Sequence, residues 1–203
     1  MNLFNEKNGI MIEGHIKIYD PESEKIYVNK RNAIHYENMS IALASCLSNS
    51  GNGFIYSMNF GNGGTYVDPT GIITYLTPNS TGTNSALYNE TYEKVVDDRS
   101  VNNLDTFRNK TEIRHVSGTN YTDIIVSCLL DYSEPAGQDA FDTGTDTNDT
   151  FIFDELGLKS WSSTGESMLL THVLFHPVQK SLNRLIQVDY TVRIQSLSSM
   201  LGE

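Results

Sequence analysis

His172 and His176 stand four residues apart, the separation that places two imidazoles on one face of a helix as zinc ligands. Their setting is not helical. Leu169-Leu170-Thr171-His172-Val173-Leu174-Phe175 reads as a strand, where four residues span roughly 13 Å at about 3.3 Å each, too far for two ligands of one tetrahedral ion. No Glu follows His172, as a metalloprotease helix requires, and Pro177 closes the segment. Both histidines are therefore expected to be structural or to lie at an interface.

Other chemistry-bearing residues lead to similar readings. Gly61-Asn62-Gly63-Gly64 follows a strand, as a phosphate-cradling loop does, but no Lys-Ser or Lys-Thr pair follows and Thr65 to Pro69 opens no helix. A tight turn needing positive φ is the expected use of these glycines. Asp142, Asp146, Asn148 and Asp149 offer hard oxygen donors for calcium without the spacing or closing Glu of an EF-hand loop. The carboxylate pairs Asp97/Asp98 and Asp154/Glu155 are adjacent in sequence, so on a strand they face opposite sides and read as solvated charge. There is no Gly-x-Ser-x-Gly elbow or other recognisable nucleophile triad. Two readings stay open for Trp161, the only tryptophan: an exposed anchor for a protein or sugar, or a cap on a barrel end. No catalytic, cofactor-binding or metal residue is assigned, and no cofactor or small-molecule substrate is expected.

The elements that position these residues are mostly strands. From Arg184 to Gln195, Ile186, Val188, Tyr190, Val192 and Ile194 alternate with polar residues; near the other end Ile10, Ile12, Gly14, Ile16 and Ile18 do the same. Such period-two alternation predicts half-buried antiparallel strands. Asp20 to Glu24 supplies a turn into Lys25 to Asn29, making an N-terminal hairpin. Tyr36, Met39, Leu43 and Leu47 fall at helical spacings, with Ala42 and Ala44 between and a Gly/Asn stop after, which predicts one short helix over about 36–48, packed on a sheet. Further strands are expected at Phe54 to Phe60, Ile72 to Leu76, Tyr92 to Val96, Thr111 to Val116, Thr122 to Tyr132, Phe151 to Leu158 and Leu169 to Phe175. Among these, Thr122 to Tyr132 is apolar enough for a central strand covered on both sides. Thr77 to Asn89 reads as an exposed excursion, and Gln138 to Thr150 as a polar loop. The sum is a mainly β chain, a β-sandwich or jelly-roll-like barrel, with residues 1–203 forming one domain.

The formal net charge of −11, from 25 Asp and Glu against 14 Lys and Arg, argues against direct binding to nucleic acid. Met1 to Asn8 has no basic stretch leading into an apolar run, and no segment reaches the roughly 18 apolar residues of a membrane span, so neither a secreted precursor nor a membrane protein is expected. Cys46 and Cys128 read as small buried hydrophobes; a disulfide between them stays open, two cysteines being too few for a framework.

Four stretches, Asn32 to Ser40 with the helix it opens, Met58 to Gly64, Phe151 to Leu158, and Leu169 to Ile194, resemble virion structural proteins of tailed bacteriophages. The likeness is to small β-rich proteins of the neck, collar or tail region of contractile-tailed particles. It implies assembly into or onto a ring at the head-to-tail junction, with copies of itself and other virion proteins as partners, no reaction catalysed, and a location in the virion after synthesis in the host bacterial cytoplasm. Long loops and open strand edges fit a head-to-tail contact between copies. A receptor- or glycan-binding module on a collar spike or tail fibre, using Tyr88, Tyr92 or Trp161, and a cell-wall hydrolase are the alternatives.

Overall fold

A computed structural model describes residues 9–82, 85–135, 150–164 and 167–197. Among them run β1 (Gly9–Tyr19), β2 (Ile26–Arg31), β3 (Ala33–Ile34), α1 (Tyr36–Leu47), β4 (Ile55–Gly61), β5 (Thr65–Val67), β6 (Ile73–Tyr75), β7 (Glu90–Val95), β8 (Lys110–His115), β9 (Tyr121–Leu130), β10 (Thr150–Ser160), β11 (Thr171–Ser181) and β12 (Ile186–Leu197). They form two five-stranded sheets, ordered β2-β1-β12-β9-β8 and β3-β11-β10-β4-β7, and a small β5-β6 ribbon. Neither five-stranded sheet closes on itself, so the fold is a sandwich and the barrel alternative falls.

The two alternating end segments lie side by side: β1 and β12 pair antiparallel from Gly9 opposite Leu197 to Tyr19 opposite Gln187. Their inward rows, Ile16 and Ile18 with Ile186, Val188, Tyr190 and Val192, meet Met58, Phe60, Phe151, Phe153, Leu156 and Leu158 of the facing sheet in one core. The Tyr190 hydroxyl, fully buried, hydrogen-bonds Asn32 and Thr171 and so ties the sheets together across that core. β9 lies between β12 and β8. Its outward Leu129 is covered by the loop before β8, whereas Tyr121 to Ile125 are only half buried, so coverage on both sides holds at one end alone.

The helix starts where expected because His35 caps it, Nδ1 accepting from the Asn38 N–H at 3.2 Å. Its buried stripe is narrower than the spacing predicts. Met39, Ala42 and Leu43 pack against Ile34, Leu170, Ile12 and Ile55, while Tyr36 and Leu47 face solvent. Two short strands, β3 and β5, were not legible as separate runs; two or three residues carry no period. The loop expected at Gln138 to Thr150 lies outside the described residues up to 149, with Thr150 beginning β10.

Lys180 places an amine in the interior. It pairs with inward-facing Phe151, is fully buried, and donates from Nζ to the Ser181 carbonyl at 2.8 Å. Burial pushes its amine down to about 8, against the opposing pull of Glu134 and Asp131. A lysine with a lowered folded pKa disfavours folding while both states hold the proton, and the folded state gains as pH rises past its own pKa toward the unfolded value. Lys180→Met is therefore expected to be more stable than the native chain at pH 7 by about 1–3 kcal/mol. Chemical denaturation across a pH series should find that advantage shrinking above pH 8; a constant difference would contradict a strained buried ammonium.

Candidate functional site

The most chemically elaborate place in the molecule is the outer face of β10 where the ladder slips. Phe153 pairs with Val178, but Glu155 pairs with Leu174, so extra β11 residues bulge out around Pro177. Core residues on β10 accordingly run Phe151, Phe153, then Leu156, Leu158. The change of parity turns both Asp154 and Glu155 to one side, contrary to the expectation that neighbours on a strand face apart. Neither is solvated; both are buried.

Their partners are backbone amides of the two segments laid over them. Glu155 Oε1 accepts from Gly63 N at 3.1 Å and Asn89 N at 2.8 Å; Oε2 accepts from Tyr88 N at 2.9 Å and lies 2.9 Å from His172 Nε2. Asp154 accepts from Gly64 N and Thr65 N, each at 2.9 Å, and from the Thr65 hydroxyl. His172 Nδ1 accepts from Asn79 N at 2.8 Å, so the proton sits on Nε2 and points at Glu155: a neutral ring with one fixed tautomer. The glycine loop thus does cradle an anion, but the anion is the protein's own. A β-carbon at Gly61 would come within 2.5 Å of both Asn89 O and Glu155 Oε1, and one at Gly63 within 2.8 Å of Asn89 N. Close approach, and not the positive φ expected for a turn, selects these glycines; none of Gly61, Gly63 and Gly64 has positive φ.

Burial drives both carboxyls upward, but the two end on opposite sides of normal. For Glu155 the bonds from His172, Asn89, Tyr88 and Gly63 outweigh burial and hold it low, whereas Asp154, with fewer donors and Glu155 beside it, stays raised. A pair split in this way has the electronic form of an acid and base. Its geometry serves another end. With all four oxygens occupied, it clasps residues 62–65 and 85–89 to the sheet, and through His172 also Asn79. The excursion expected at Thr77 to Asn89 is therefore pinned at Asn79, Tyr88 and Asn89, with Leu87 buried beneath it.

Other sequence candidates scatter. His176 is exposed on the bulge, well apart in role from buried His172. Trp161 is half buried, its ring 4.7 Å from Tyr56 and 6.3 Å from Phe54, capping the end of the sandwich. Tyr92 packs on core Phe60, and Tyr88 leans on His172 at the opposite end of β4 from Trp161, so these aromatics form no common platform. Both cysteines are free. Cys128 is buried, its thiol pushed up to about 12 by burial, whereas Cys46 is exposed on α1, against expectation. Among the described residues no three His, Cys, Asp or Glu gather where an ion could be held; Asp142, Asp146, Asn148 and Asp149 lie outside them. No described helix is long and apolar enough to cross a membrane.

A second surface of note is the flank where the chain passes from β7 to β8. Here a cleft of about 410 Å³ opens between the sheets beside α1, walled by Leu43, Ile55, Ile113, Ile124, Val192 and Ile194. Asp97, Asp98 and Arg99 stand at its edge, in the turn after β7 and not on a strand. The loop continuing from them is built inside out. Asn103 Nδ2 donates to the carbonyls of Asp97 and Asn109, Asn109 Oδ1 accepts from Leu129 N at 2.8 Å, and Arg108 pairs with Asp105 and Asp131. Asn103 and Asn109 face in while the large apolar side chains face out: Val101, Leu104 and Phe107 are 93%, 97% and 83% exposed. Sequence reasoning passed over them, although large apolar residues every third position amid Asn, Asp and Arg were the available signal.

Fold and flank together define an antiparallel β-sandwich protein with a braced apolar surface. Compared with known proteins, the chain matches no family model, no curated protein and no solved structure.

Proposed function

We propose that this chain is a non-catalytic building block that works by protein–protein contact, and that its assembly is the head-to-tail region of a tailed phage particle, into or onto a ring at the neck or collar. The observation that carries the first half is the loop holding Val101, Leu104 and Phe107 in water. Large apolar side chains fixed outward by an inward polar frame are what a preorganised interface presents, since little further ordering is needed on docking. The second half rests on the likeness of the four sequence stretches to virion proteins. In this reading the Asp154–Glu155–His172 clasp is scaffold, fastening the loops at 62–65 and 85–89 to the sheet, and no substrate is turned over.

Antibody-labelled electron microscopy of intact tailed particles carrying the protein, beside mass measurement of the purified chain, tests this. Label at the head-to-tail junction is expected. Label on fibre tips, or a monomer that captures glycans and loses them on Trp161→Ala, would replace this reading with a receptor-binding one.

A further inference from the structure

We infer that the clasp guards a modification site of its own making: Asn62-Gly63 is a self-deamidating pair, held intact by Glu155, whose conversion to aspartate or isoaspartate keeps the clasp from closing again. Asparagine cyclises most readily when glycine follows it, because glycine puts no side chain in the path of its own nitrogen. The chain holds Asn-Gly at 8–9, 52–53 and 62–63. At 62–63 the glycine cannot be exchanged. A β-carbon at Gly63 would come within 2.8 Å of Tyr88 Cβ and of Asn89 N, so the close approach that serves the clasp also imposes the labile pair.

Deamidation starts when the Gly63 nitrogen gives its proton to hydroxide and attacks Asn62 Cγ. The new N–Cγ bond closes a succinimide ring, the Cγ–Nδ2 bond breaks, and ammonia leaves. Water then opens the ring at either carbonyl, giving aspartate or isoaspartate. In the folded chain that nitrogen donates to Glu155 Oε1 at 3.1 Å. A carboxylate at this distance opposes the anion that has to form. Asn62 is tied as well: its Oδ1 accepts from Asn89 Nδ2 at 2.5 Å, and its N–H donates to Asn89 O at 3.1 Å. Ring closure therefore waits for local opening of the 62–65 and 85–89 segments.

The products fit the closed clasp badly. Isoaspartate routes the main chain through Cβ and Cγ, lengthening it by one carbon just ahead of Gly63, Gly64 and Thr65, whose N–H groups meet the two carboxylates at 3.1, 2.9 and 2.9 Å. Either product also adds a negative charge one residue from the amide that holds Glu155, and like charges repel most where water is scarce. Conversion is thus one-way: an opened clasp that reacts does not reclose as before. Asn52-Gly53 gives an internal comparison. It lies at the other end of β4, with Gly53 N donating to Trp161 O at 3.2 Å and Asn52 Oδ1 accepting from Ser163 N at 3.0 Å, partners that belong to no part of the clasp.

The test incubates the full native chain, Glu155→Ala and Asn62→Gln in mildly alkaline buffer, with guanidinium-unfolded native chain as the open reference. Peptide mapping by mass spectrometry follows acid formation at Asn62 and Asn52. Asn62 should convert at least about tenfold more slowly in the native chain than in the unfolded one, and Glu155→Ala should abolish most of that difference while Asn52 keeps its native rate. Native Asn62 converting as fast as in the unfolded chain, or no acceleration in Glu155→Ala, overturns the guarding. Joint acceleration of Asn62 and Asn52 would assign the protection to the fold as a whole and overturn it too. The second half is read on the native chain, independently of whether Glu155→Ala folds. Molecules converted at Asn62, separated by ion exchange, should exchange the amide hydrogens of residues 85–89 faster than unconverted ones. Aged Asn62→Gln, whose longer side chain cyclises far less readily, should yield no such fraction. Equal exchange in converted and unconverted chains overturns the claim that the clasp stays open.

Discussion

Glu155→Ala is expected to lower stability by about 4 kcal/mol or more, and the melting temperature by about 10 °C. The side chain is fully buried and is the shared acceptor for three backbone N–H groups, of Gly63, Tyr88 and Asn89, and for His172 Nε2. Removing it leaves these donors facing a void, and each unpaired buried donor costs about 1–3 kcal/mol. His172 cannot turn elsewhere, because its other nitrogen already accepts from Asn79. The segments it anchors, 62–65 and 85–89, should then exchange amide hydrogens faster than the β1–β12 centre, which hydrogen exchange resolved by residue would detect. Equal protection of those segments in variant and native chain would mean that the clasp is not what holds them.

Glu155→Gln refines the same expectation. One oxygen can still serve Gly63 and Asn89, but the amide NH₂ then meets Tyr88 N–H and His172 Nε2–H, donor against donor, so about half of the loss should remain. The pH dependence follows from the direction of the shift. Glu155 is held low, so its stabilisation is present above the unfolded carboxylate value and is lost as pH falls through the lowered folded one. Asp154 is raised and runs the other way, its protonated form favouring the fold in acid. The gap between native and Glu155→Ala chains should therefore be widest near neutrality and narrow in acid; a gap that widens in acid would reverse the assignment.

How much of this the sequence disclosed follows from the range of each interaction. Alternation from Arg184 to Gln195 and from Ile10 to Ile18 is a local consequence of one wet and one buried face, and it located β12 and β1 directly. Their pairing with each other is a contact across the whole chain, which no local pattern encodes. The Asp154/Glu155 pair was misread because period two was assumed to run through a bulge, and the bulge is set by β11, some twenty residues on. The glycines were read as conformational because their partner, Glu155, arrives from a distant strand; a tight approach leaves the same residue type as a strained turn. Strand spacing set His172 apart from His176, as β11 does, yet the partner of His172 on β10 could not be guessed from it. The apolar flank was missed because three solvent-facing hydrophobes look like any loop composition until Asn103 and Asn109 are seen turned inward.

On the other side of β10, Phe153→Ala should cost about 3–5 kcal/mol, measured by urea denaturation. Phe153 is fully buried, with its ring centroid 5.3 Å from Phe60 and edge-on, 5.3 Å from Phe151 and nearly parallel, and 5.7 Å from Phe175 and edge-on. Truncation removes a ring that three others pack against, and these belong to β4, β10 and β11, so no single strand can shift to fill the space. Phe153→Leu, which keeps much of the volume, should lose less. Two positions separate Phe153 from Glu155, and their variants should be told apart by acid: the alanine at 153 removes no titrating group, so its penalty should hold steady over the same pH range in which that of Glu155→Ala shrinks. A Phe153→Ala loss under about 1 kcal/mol would mean that the aromatic cluster is loosely packed.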